Sequence, residues 1–149
     1  MNPPPVPTYF DTSVLVKRYI EEPGSAQARR LLDGAHVCTS AISRVEAASA
    51  FRRKYKMGEI TEADFKEFLE RFRKDRELFE FVAATDEILE RAEEMVARSA
   101  VRSLDAVHVA SAAFLQEAAG IRLPFITADD RQGEAAGAAG LKVIFVRAR

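Results

Sequence analysis

The sequence predicts an α/β fold, a mostly parallel sheet of about five strands covered on both faces by helices. Three observations predict it. Short runs rich in β-branched and aromatic residues alternate with longer segments of helical period along the chain. Parallel strands need crossover connections, and the helical segments supply them. No repeat, low-complexity stretch or linker interrupts the 149 residues, so residues 1–149 are expected to form one domain, entered through a Pro-rich leader over residues 1–7.

The elements follow in order. Residues 6–10 read as a strand, since the prolines before it cannot occupy a central strand. "TSVLVKRYI" reads as a helix, broken by "EEPGS" before a second helix in "AQARRLL". "HVCTS" is a second strand, and residues 41–56 form a helix stopped by Gly58. In "TEADFKEFLERF", Thr61 is the N-cap and Phe65, Phe68, Leu69 and Phe72 recur at helical spacing. "FEFVAA" is a third strand. The helix of "TDEILERAEEMVARSA" carries Ile88, Leu89, Ala92, Met95 and Val96 on one side. Ser103 caps a helix running to Ala119 and ending at Gly120. "LPFITA" and "LKVIFV" are the fourth and fifth strands, with a short Ala/Gly-rich helix between them.

Composition narrows the class. Hydrophobic residues make up 48% and charged residues 30%, as in ordinary globular chains. With 22 basic and 23 acidic residues the net charge is -1, so any contact with nucleic acid must rest on a local patch. A single cysteine excludes an internal disulfide and fits a reducing compartment. The amino terminus lacks the pattern of a signal peptide, and no run is long enough to cross a membrane. The expected location is the cytoplasm.

Asp11 interrupts an apolar run, "TYFDTSVLV", where burying a carboxylate is expensive unless something compensates it. The topology explains its place. Ligands of open parallel sheets bind beyond the carboxyl ends of the strands, where strand order reverses. Asp11 ends the first strand and Asp129 the fourth, so both stand on that edge. The helices beginning near residue 41 and at Ser103 start on the same edge, bringing Glu46 and Asp105 to it. Each acid also has an ordinary explanation. Asp11 suits a helix cap, Asp129 a turn or helix cap, Asp105 a first helical turn, and Glu46 an ion pair with Arg53 or another nearby arginine. Four such placements on one edge favour a hard-cation site. Mg²⁺ or Mn²⁺ takes oxygen ligands, acidifies water and offsets charge on a phosphodiester. Without the ion the four carboxylates repel, and their pKa values are expected to rise. His108, beside Asp105 on its helix, is read as a hydrogen-bonding residue and not a ligand.

At these residues the chain resembles a family. "YFDTSVLV", "SRVEAASAF", "SLDAVHVASA" and "FITADDR" are similar, in order, to the four acidic motifs of PIN-domain ribonucleases. The single-domain length resembles VapC-type toxins of toxin–antitoxin pairs. The resemblance implies a PIN-like three-layer α/β/α sandwich with strand order 3-2-1-4-5. It implies a Mg²⁺- or Mn²⁺-dependent endoribonuclease, usually a homodimer, restrained by a cognate antitoxin. Asp11 and Asp105 would be the principal metal ligands, Glu46 and Asp129 would complete the cluster, and Ser13 and Thr127 would orient acids or water. Asp129 is preferred to Asp130 because Thr127 and Asp129 keep the family's hydroxyl–x–acid spacing.

In "FRRKYK", Arg52, Arg53, Lys54 and Lys56 suit either a solvated helix end or an RNA phosphate contact. Two other readings compete with the nuclease. One is a non-catalytic RNA- or protein-binding module on the same fold. The other is an aspartate-based phosphotransferase or receiver domain. It is disfavoured because Ser13 stands where the former wants a second acid, and Tyr9 and Phe10 stand where the latter wants an acid pair.

Overall fold

The computed structural model describes residues 4–147. Five strands form one sheet: β1 (Pro7–Phe10), β2 (His36–Ser40), β3 (Glu80–Val82), β4 (Pro124–Thr127) and β5 (Lys142–Phe145). Their order is β3-β2-β1-β4-β5 and every neighbouring pair is parallel. Strand order therefore reverses at β1, next to β4. Residues 1–3 of the leader lie outside the described residues. Pro7 opens β1, the strand position that tolerates a missing N–H.

Seven helices flank the sheet among the described residues: α1 (Thr12–Leu15), α2 (Ser25–Leu32), α3 (Ser43–Lys56), α4 (Glu62–Asp75), α5 (Asp86–Arg98), α6 (Ser103–Ala119) and α7 (Asp130–Ala138). Side chains alternate across a strand, so β1 feeds two cores. Tyr9 joins Val107, Val109, Ala110 and Phe125 on the α5–α6–α7 side. Phe10 joins Val14, Leu15, Leu32 and Ile126 on the α1–α2 side. A third cluster gathers Tyr19, Phe51 and Phe72, with Phe65, Phe68 and Leu69 packed against it. Thr61 caps α4 in a capping box with Asp64, as its position before the periodic run requires. In α7, a Cβ on Gly133 would overlap the ring of Phe145, so glycine there lets the helix lie against β5.

Three local expectations are corrected. The helix expected over residues 12–20 is only α1 followed by a 3-10 turn, Val16–Arg18. The chain tightens there into the Glu22–Pro23 bend, where the Lys17 Nζ donates to Glu22 Oε1 at 2.9 Å and to the Pro23 carbonyl at 3.0 Å. Ser103 begins α6 but does not cap it. Arg102 occupies the N-cap position, and no side chain bonds to the helix end. On α5, Ile88 and Ala92 are buried and Met95 packs on the core, whereas Leu89 and Val96 are 41% and 43% exposed. α5 packs chiefly on α6, which covers one line of residues and leaves the rest of the apolar stripe open.

Candidate active site

The carboxyl edge of the sheet opens into a cleft of about 490 Å³. Asp11, Glu46 and Asp105 line it, with Ser13, Arg53, Lys54 and Arg102. β1 delivers Asp11, the first turn of α3 delivers Glu46, and the first turn of α6 delivers Asp105. Asp129 lies beyond Arg102, in an adjoining depression shared by Asp105 and Arg102. Arg102 spans the two, with its Nε 3.5 Å from Asp105 Oδ2 and a terminal nitrogen 3.7 Å from Asp129 Oδ2.

Asp11 is almost fully buried. Its Oδ2 accepts from the Ser13 hydroxyl and, at 3.3 Å, from the Ser13 N–H, so it also caps α1. Its Oδ1 accepts from Gln132 Nε2 at 3.3 Å. Gln132 is wholly buried, takes the Thr127 hydroxyl on its Oε1 at 2.6 Å, and also donates to the Asp105 carbonyl at 3.4 Å. Its backbone N–H donates to Asp129 Oδ1 at 2.8 Å. One side chain therefore ties the ends of β1, β4 and α6 together. Thr127, besides this bond, accepts from the Asp129 N–H at 3.1 Å.

Glu46 is held differently. Its Oε1 accepts from the Thr12 hydroxyl and from His108 Nε2, each at 2.7 Å. His108 is fully buried, with Nδ1 2.8 Å from the Tyr9 hydroxyl. Burial works against the charge on both partners, yet their mutual bond and attraction prevail: Glu46 is held below its ordinary pKa and His108 is raised above its own. Asp11 and Asp105 add to the rise at His108. Asp105 moves upward, through burial first and then the charges of Asp11 and Asp129, with Arg102 opposing. The expectation that all four carboxylates rise is thus corrected at Glu46, where a buried cation faces the acid. Its partner is His108 and not Arg53, whose guanidinium reaches Ser49 instead.

The basic patch divides by helical phase. Arg53 and Lys54 share the Glu46–Ser49–Ala50 face and line the cleft, whereas Arg52 and Lys56 are exposed and turn away from it. Asp130 is 71% exposed and pairs with Arg147 at 2.6 Å. Sequence reasoning missed Gln132, Thr12 and Arg102. Thr12 is flanked by Asp11 and Ser13, so its position was a usable signal. Thr127 lies only five residues before Gln132, but the other partners of Gln132, Asp11 and Asp105, are remote in the chain, and nothing local marks the side chain as buried.

The donor set fits a hard divalent cation: four carboxylates and no sulfur. Burial first, and then the charges of Asp11 and Asp129, raise the Asp105 carboxyl, and a divalent ion would offset the part due to its acidic neighbours. Among the described residues no three of these acids bring their oxygens within 4.8 Å of one another. Such spacing suits an ion that contacts one or two carboxylates and keeps several waters.

Fold and cleft together define the class, an α/β domain with an acidic site at the switch point of a parallel sheet. The chain belongs to the PIN domain family, whose model matches residues 8–138. Solved structures share the fold at low identity. A toxin–antitoxin complex from Klebsiella pneumoniae is 17% identical with a TM-score of 0.65, covering 95% of this chain and 99% of that one. FitAcB from Neisseria gonorrhoeae is 17% identical with a TM-score of 0.68, covering 93% and 96%. VapBC-5, a VapBC-family toxin–antitoxin system from Mycobacterium tuberculosis, is 21% identical with a TM-score of 0.57, covering 95% and 100%. None of the curated proteins matches the chain. No helix among the described residues is long and apolar enough to cross a membrane.

Proposed function

We propose that this PIN domain is a Mg²⁺- or Mn²⁺-dependent endoribonuclease, the toxin of a cytoplasmic toxin–antitoxin pair. The observation that carries the reading is one cleft holding Asp11, Glu46 and Asp105 beside Arg53, Lys54 and Arg102. Acids alone would repel RNA; an acidic floor with a basic wall suits a phosphodiester approached through a cation. Asp11 and Asp105 are the residues that would hold the ion, with Glu46 and Asp129 completing the set directly or through water. When bound, a divalent ion supplies Lewis acidity, easing deprotonation of water and offsetting charge on the phosphoryl group.

The protein's own part is orientation. Ser13 and Gln132 fix the two oxygens of Asp11, and Thr12 and His108 fix one oxygen of Glu46. Thr127 acts at one remove by holding Gln132 and the Asp129 backbone. Arg53 attracts the RNA backbone, and Lys54 joins it by exchanging its 2.6 Å ion pair with Glu59 for a phosphate. Two of the similar structures are described as toxin–antitoxin systems or complexes, which supports an antitoxin as partner, and we extend the proposal to a homodimer as the working form. Incubation of the purified protein with structured RNAs in Mn²⁺, Mg²⁺ or EDTA tests it. Cleavage in either metal and none in EDTA supports the reading; binding without cleavage favours the non-catalytic module.

A further inference from the structure

A second group of metal-ligating side chains lies away from the cleft. His36 and Cys38 are two apart on β2 and so project from the same face of the sheet. The parallel register sets Glu80 of β3 opposite Cys38, on that face. Glu80 Oε2 lies 3.2 Å from His36 Nε2 and 3.6 Å from Cys38 Sγ. One ligand atom from each of the three residues falls within 4.8 Å of the others. His36 opens β2, which places the group towards the amino end of the sheet, opposite the edge that holds Asp11.

We propose that His36, Cys38 and Glu80 form a binding site for a borderline-soft divalent cation of the Zn²⁺ type, separate from the acidic cleft. A thiolate, an imidazole and a carboxylate are the donors Zn²⁺ takes, whereas Mg²⁺ wants oxygen alone. Bonds of about 2.0–2.3 Å from a tetrahedral ion set its donors roughly 3.3–3.8 Å apart. The two measured separations are close to that range. Cys38 is wholly buried, while the side chains of His36 and Glu80 are 40% and 46% exposed. The site is therefore anchored in the core and open to solvent on one side, leaving the fourth position to water.

Without an ion, the Cys38 thiol donates weakly to Glu80, and burial with the neighbouring carboxylate pushes its pKa up to about 12. Binding replaces the thiol proton, which leaves to solvent, so one proton is released by Cys38 for each ion bound. The ion would tie β3, a three-residue strand at the sheet's edge, to β2.

Titration with Co²⁺ reads the site directly, because a thiolate ligand produces a near-ultraviolet charge-transfer band. Cys38 is the only cysteine, so Co²⁺ held by the acidic cleft cannot give this band. The expected result is a saturable band in the parent, bleached by Zn²⁺, retained in Asp11→Asn and weakened at least tenfold in apparent affinity in His36→Gln and Glu80→Gln. Those two side chains are half-exposed, so their replacement leaves the core intact even if Cys38→Ala fails to fold. Absence of the band in the parent at saturating Co²⁺ overturns the proposal. So does a band whose affinity is unchanged in both His36→Gln and Glu80→Gln.

Discussion

Replacing His108 with leucine removes the group that holds Glu46 while keeping an apolar side chain in its place. Glu46 Oε1 then keeps only the Thr12 hydroxyl, and the Tyr9 hydroxyl loses its 2.8 Å partner in a fully buried position. Breaking one side of a buried ion pair costs ~3–5 kcal/mol. The Glu46 side chain is 24% exposed, so water partly rehydrates the orphaned acid. That favours the lower end, about 3 kcal/mol, and the tyrosine's lost bond adds about 1 kcal/mol, for about 4 kcal/mol in all. At ~2–4 °C per kcal/mol for a chain of this size, Tm in EDTA falls by about 8–16 °C. The pH profile separates this mechanism from simple loss of packing. A histidine raised above its unfolded value stabilises fully below about pH 6.5, and its contribution disappears as pH climbs through the folded value. Glu46, held low, contributes above its unfolded value and loses that contribution as pH falls through the folded one. The parent in EDTA should therefore melt progressively lower as pH rises from about 6.5, and His108→Leu should lack that slope. Thermal melting across pH decides it. A variant that melts within a degree of the parent, or that keeps the same slope, would refute a charged His108–Glu46 pair.

Three further outcomes follow from the same geometry. Asp105→Asn removes a carboxylate disfavoured by burial and by Asp11 and Asp129, so in EDTA at neutral pH it should melt about 1–3 °C higher. It should also shrink the Mn²⁺-induced rise in Tm; a lower melt in EDTA with the whole Mn²⁺ rise intact would make Asp105 a helix-start residue only. Asp129→Asn should depress RNA cleavage more than Asp130→Asn, because Asp129 adjoins Asp105 and Arg102 whereas Asp130 pairs with Arg147; the reverse ranking in a cleavage assay shows that the wrong acid was chosen. Gly133→Ala should destabilise by ~1–3 kcal/mol through its clash with the Phe145 ring, and a denaturant midpoint equal to the parent's would show that α7 moves aside.

The α/β class was legible because strand-length and helix-length signals alternate cleanly, and because parallel strands leave their carboxyl ends on one edge. That logic placed Asp11, Glu46 and Asp105 beside one cleft before any contact was known. It did not reveal what holds them. Gln132 is a polar residue of a short Ala/Gly-rich helix, yet it is buried between β1, β4 and α6, because the sheet sets Asp11 beside its neighbour Thr127. The Glu46–His108 pair joins residues 62 apart, and the charge state of each depends on burial that local sequence does not show. The errors at Ser103 and at residues 16–20 have one origin. Propensity marks a residue able to cap or continue a helix, whereas the turn at Lys17 is closed by its own bonds to Glu22 and Pro23, and Arg102 at the α6 N-cap position reaches across to Asp129.

The most direct test of the central claim is cleavage of a structured RNA by the parent and by Asp11→Asn, each freed of metal with EDTA and returned to Mn²⁺ or Mg²⁺. Asp11 is the acid whose two oxygens the fold holds from both sides, and its loss should abolish cleavage in either metal while the circular dichroism spectrum stays that of the parent. Cleavage by the parent that persists in EDTA, or full activity of Asp11→Asn after metal is restored, would contradict a metal-dependent nuclease centred on this cleft.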